Sequence, residues 1–102
     1  MSVITKAFDL EMIWLPLERD YFDILDLNLK QSGIDLTVNE AKIQTLKQQH
    51  KKAMFQTLDG LYDQLKTGEL TFDRVRRKFD ILQFDLKDEV VTFINEIKKV
   101  NS

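Results

Sequence analysis

Five apolar residues spaced by sevens, Phe72, Phe79, Leu86, Phe93 and Val100, constrain this chain more than any other feature. With Val75, Leu82, Val90 and Ile97 between them they form a row with steps of three or four. At about 100° per residue such a row lies on one face of an α-helix. The companion residue follows three positions later at first (Val75, Leu82) and four later afterwards (Val90, Ile97). That drift suits a straight helix of about 3.6 residues per turn in a globule better than a strict supercoil. A helix of about 29 residues is roughly 43 Å long. Its apolar face needs other elements of comparable length to cover it.

The rest of the chain supplies them. Gly33 and Gly68 are the strongest stop signals, and a threonine follows each. Thr37 and Glu40 have capping-box spacing, and Thr71 with Asp73 in the first turn suits a second helix start. Between these marks Ile43, Leu46, His50, Met54, Leu58, Leu61 and Leu65 share a helical face, with Gly60 inside the segment as a point of close helix approach. The short link Thr67-Gly68-Glu69-Leu70 predicts that the two long helices fold back on each other. Leu17, Tyr21, Phe22, Ile24, Leu25 and Leu29 occupy one broad arc of a further helix.

The expected architecture is an all-α helical bundle. It is built on a long antiparallel hairpin (about 38–67 and 72–100) with a shorter N-terminal helix (about 17–32), in a single domain covering 1–102. Residues 1–16 read as an N-terminal arm. There Phe8, Leu10, Met12 and Trp14 alternate with other residues at the strand period, while Ile4, Phe8, Met12 and Leu15 fit a helical face. Pro16 disfavours helix at Leu15 and can open the next helix. The reading adopted is a short helix ending near Trp14.

Composition removes many chemistries. There is no cysteine, so disulfide frameworks, thiolate metal sites and cysteine nucleophiles are excluded. One histidine excludes zinc sites built on two or more, and three scattered glycines exclude glycine-rich phosphate loops. The longest uncharged apolar run, Met12 to Leu17, is six residues, where a membrane helix needs about 20. With no export signal either, a cytoplasmic protein with no membrane span is expected.

Charged groups do not converge on catalysis. Asp20, Asp23 and Asp26 line the outer side of the first helix as a solvated face, and Asp80, Asp85 and Asp88 lack the spacing of a calcium loop. Up to residue 36 there are seven acids and three bases (−4), and beyond it ten acids and twelve bases (+2). Opposite signs within one domain favour internal pairing, with Asp59, Asp63 and Glu69 answering Arg74, Arg76, Arg77 and Lys78. Lys42, Lys47, Lys51 and Lys52 form a second basic set with no aromatic stacking platform, so nucleic acid is not the expected partner. No cofactor, metal or catalytic residue is assigned.

His50 lies at the centre of its helix's apolar face, with Lys51 and Lys52 following. A histidine on a long bundle helix beside lysines is similar to histidine phosphotransfer domains, which are bundles of comparable size. Those domains expose the histidine and place a lysine three residues on, where this chain has Ala53. Bacteriocin immunity proteins and some small phage regulators resemble the chain in size and helicity. Each resemblance implies an alternative function, phosphoryl transfer through His50 or immunity near a membrane receptor. The primary expectation is a non-enzymatic interaction protein of bacterial or phage type: an adaptor, inhibitor or assembly factor. Its partner would be another protein or a second copy, docking through Trp14, Met12 and Leu15 of the arm with Ile81, Phe84 and Val91.

Overall fold

The computed structural model describes residues 3–100 and contains three helices, α1 (Ala7–Gln31), α2 (Glu40–Lys66) and α3 (Phe72–Val100). Every pair of helices is in contact, and the bundle measures 52 × 19 × 18 Å. Tyr62 reaches Glu11, His50 reaches Tyr21 and Lys47 reaches Asp26, so α1 and α2 run in opposite directions. Leu46 faces Phe93 and Ile97 across one end of α2 and α3, and Leu61 faces Leu82 near the other. The order is therefore up–down–up.

The turns follow from local chemistry. Gly33 and Gly68 have φ of +83° and +74°, the left-handed region where a side chain is strained, and each sits just past a helix end. Thr71 caps α3, its hydroxyl accepting from the Arg74 backbone N–H at 3.2 Å. The capping box expected at Thr37 and Glu40 does not form. Instead the Asp35 carboxylate accepts from the backbone N–H groups of Thr37 and Val38, and α2 begins at Glu40. Asp35 reaches those N–H groups first because they lie two and three residues ahead of it, the reach of an Asx turn.

The N-terminal expectation also needs correction. There is no separate arm ending at residue 16, and no short helix ending near Trp14. Helix α1 starts at Ala7, ten residues before the expected start at 17, and carries Pro16 in its interior. Pro16 cannot donate to the Met12 carbonyl four residues earlier, an arrangement that costs about 3 kcal/mol. Both Pro16 and Met12 are exposed, so the carbonyl without a donor lies on the solvent side of the helix. On the other side, Leu10 and Trp14 are completely buried. Burying two such side chains contributes about 1.5–3 kcal/mol each, which offsets the proline. Before α1, an isolated bridge joins Val3 to Thr71, and the Ile4 N–H donates to the Leu70 carbonyl at 2.9 Å.

One core runs the length of the bundle. It holds Leu10, Trp14, Tyr21, Leu25 and Leu29 from α1, Ile43, Leu46, Met54 and Leu61 from α2, and Val75, Phe79, Leu86 and Val90 from α3. Trp14 meets Phe79 edge to face, with centroids 5.2 Å apart and rings at 81°. Gly60 is not a point of close approach: a Cβ there would have nothing within 4 Å.

Candidate interaction surface

Most long helices of a small bundle hide their apolar side chains, yet several here remain in solvent. On α1, Glu11, Phe22 and Asp26 reach across to Tyr62, Lys51 and Lys47 of α2, marking the flank turned toward that helix. At about 100° per residue, Phe8, Met12 and Leu15 lie on the same flank. On α2, Phe55 shares the flank that Lys51 and Tyr62 turn toward α1. These four side chains are 66%, 60%, 55% and 68% exposed. Together they border the α1–α2 seam, with half-buried Phe22 and Tyr62 between them.

A second group lies on α3. Ile81, Phe84 and Val91 are exposed and turned away from the row of Phe79, Leu86, Val90 and Ile97 that enters the core. Arg77 and Asp88 lie on the same outer stripe, so charged side chains interrupt this face as well.

The six residues expected to form one docking surface are therefore distributed over three environments. Met12 and Leu15 lie on the α1–α2 flank, and Ile81, Phe84 and Val91 on the outer side of α3. Trp14 is on neither. It has no exposed surface, packs on Phe79, and donates from Nε1 to Glu18 Oε2 at 3.1 Å. The residues that sequence reasoning missed are Phe8 and Phe55. Phe55 was visible as an apolar residue off the main α2 face, and its pairing with α1 required the orientation of that helix.

The charged sets partly answer one another, though not as expected at the α2–α3 turn. Lys47 Nζ sits 2.5 Å from Asp26 Oδ1, and Lys51 lies over the Phe22 ring at 5.8 Å, so the α2 lysines engage α1. At the turn, Asp63 pairs with Lys66 at 3.8 Å and Arg76 with Asp80 at 4.0 Å, each within its own helix. Neither acid of α2 pairs with the arginines of α3 among the described residues, because these long side chains point into solvent rather than across the seam.

His50 is 1% exposed and joins all three helices. Its Nδ1 lies 2.8 Å from the Tyr21 hydroxyl of α1, and its Nε2 lies 3.3 Å from Glu89 Oε2 of α3 without the alignment of a hydrogen bond. With the imidazole proton on Nε2, Nδ1 accepts from the Tyr21 hydroxyl. Burial pushes the His50 pKa below its ordinary 6.5, opposed by the Glu89 charge, and burial with that same charge pushes the Tyr21 hydroxyl up. Both groups are held neutral. Tyr62 donates to Glu11 Oε1 at 2.5 Å, and this bond, with burial and the carboxylate charge, raises its pKa to about 12.

A groove of about 380 Å³ lies between the start of α2 and the end of α3, lined by Leu46, Phe93, Ile97 and Val100 with Lys42 and Glu96 at its edge. Among the described residues no three His, Asp or Glu side chains gather as a metal site, and no helix is long and apolar enough to cross a membrane. No family model matches the chain, and neither a curated protein nor a solved structure matches it.

Proposed function

We propose that this protein is a non-enzymatic, cytoplasmic interaction module, an adaptor, inhibitor or assembly factor that works by presenting helical faces to another protein. The observation that carries this reading is the alignment of exposed large apolar side chains into two rows, Phe8, Met12, Leu15 and Phe55 on one face and Ile81, Phe84 and Val91 on another. Contiguous apolar surface is costly to leave in water and marks contact sites when it recurs on one face. Phenylalanine suits this role, since a large rigid area is buried with little loss of side-chain freedom.

The titratable groups support the same reading. His50, the one side chain with a default pKa near neutrality, is enclosed, and its Nδ1 is engaged by the Tyr21 hydroxyl. A phosphoryl donor needs an accessible imidazole nitrogen, so the geometry gives phosphotransfer no support.

Affinity purification from the native host tests the proposal. The wild-type chain is expected to retain a defined protein, including a second copy of itself, and the Phe55→Glu/Phe84→Glu variant to lose it while keeping the wild-type circular dichroism spectrum. Equal recovery by a folded variant would overturn the reading.

A further inference from the structure

We infer that the α1–α2 face is a self-association surface, on which a second copy of this chain packs with its helices antiparallel across a two-fold axis near Leu15. This deepens the interaction-module reading and rests on it.

Helix α1 carries a stripe that can pair with its own copy. Phe8, Met12, Leu15, Arg19 and Phe22 succeed one another at steps of four, three, four and three, so they form one stripe on the flank described above. The stripe is nearly symmetric about Leu15, since Phe8 and Phe22 stand seven residues to either side. A two-fold axis crossing the helices at Leu15 sets Leu15 against its own copy and each Phe8 against the other copy's Phe22. Isologous interfaces require this kind of self-complementarity.

Charge favours the antiparallel pairing. Arg19 stands inside this stripe and makes no ion pair among the described residues. Glu11 lies four residues before Leu15 and Arg19 four after, so the same axis brings Arg19 of each copy level with Glu11 of the other. One Glu11 oxygen is taken by Tyr62, and the second remains for the guanidinium. An axis parallel to the helices would instead bring Arg19 level with Arg19 of the other copy and Glu11 level with Glu11, like-charge contacts. The charges thus choose between the two possible pairings.

The exposed apolar area also fits a second copy. At exposures between 55% and 68%, Phe8, Met12, Leu15 and Phe55 present about 450 Å² of apolar side chain. A standard interface buries about 800 Å² per partner, of which roughly 60% is apolar. The face matches that apolar core, and the outer stripe of α3, with three residues among charges, falls short of it.

Because the chain has no cysteine, single cysteines report the geometry directly. Sedimentation velocity at micromolar concentration is expected to give twice the chain mass. Leu15→Cys should form a disulfide-linked dimer under mild oxidation at least tenfold faster than Phe84→Cys, because only residue 15 meets its own copy within disulfide reach. Arg19→Glu should raise the dimer dissociation constant about tenfold by facing Glu11 with a like charge. A wild type that stays monomeric throughout, a Phe84→Cys that links as fast as Leu15→Cys, or an unchanged Arg19→Glu dimer would each overturn the inference. The module reading fails separately. A monomer whose Phe55→Glu/Phe84→Glu variant still loses a host partner would overturn the second copy alone, whereas unchanged capture would overturn the module.

Discussion

Helix α3 places Val75, Phe79, Leu86, Val90 and Ile97 in the core, at steps of four and seven along one face. Helix α1 buries Leu10, Trp14, Tyr21, Leu25 and Leu29 with equal regularity, but Pro16 interrupts its hydrogen bonding and its exposed flank carries Phe8, Met12 and Leu15. In α3, local preference and tertiary burial agree. In α1 they conflict, and burial wins because Leu10 and Trp14 together outweigh one proline. The difference teaches that a weak local rule holds until the surrounding core offers more than the rule costs. It also teaches where function can be sought: besides its core row, each of these helices carries a second, exposed apolar set, Phe8, Met12 and Leu15 on α1 and Ile81, Phe84 and Val91 on α3.

The largest expected effects probe the contact between the two helices. Phe79→Asp places an unpaired charge in the centre of the core and should leave no folded protein by circular dichroism. Trp14→Ala should destabilise by about 3–5 kcal/mol in urea unfolding, as expected when a buried aromatic is removed. If Trp14→Ala cost less than about 1 kcal/mol, the N-terminal half of α1 would not be held by the core and the contrast between the helices would collapse.

Intermediate effects sharpen the account of the helix interiors. Pro16→Ala restores a donor to the Met12 carbonyl and should raise stability by about 1–3 kcal/mol. Gly60→Ala, with no neighbour within 4 Å of the new methyl group, should add about 1 kcal/mol. A loss of stability in either would mean that the backbone at that point is set by packing rather than by local preference.

The smallest effect concerns the histidine that ties α1 to α3. Its folded pKa lies below the ordinary 6.5, so at mildly acidic pH the unfolded chain binds more protons than the folded one. The contribution is fully present above pH 6.5 and declines as pH falls from 6.5 through the lower folded value. In urea unfolding from pH 7.5 to 5, His50→Gln should therefore show a shallower loss of stability than wild type. Parallel profiles would mean that Glu89 compensates fully for burial.

Much of this was legible in the sequence. The three helices, the positions of Gly33 and Gly68, the Thr71 cap and the apolar rows of α2 and α3 follow from periodicity and backbone preference, which act within a few residues. His50 could be placed on an apolar face by the same counting. The start of α1 could not, since Pro16 gives a correct local warning that only the burial of Leu10 and Trp14 overrides. The Asp35 cap displaced the Thr37 box because two side chains competed for the same exposed N–H groups, and their relative reach depends on the turn.

Sequence alone determined the fold class, because an apolar row at helical spacing has one regular way to be buried and a chain with three such rows forms a bundle. Tertiary structure alone decided which apolar residues stay outside. Trp14, expected at the surface, went to the core, and Phe55 came to stand beside Met12 and Leu15. Exposure depends on which flank of a helix its neighbour covers, and that is set by how the helices rotate against one another when the core closes.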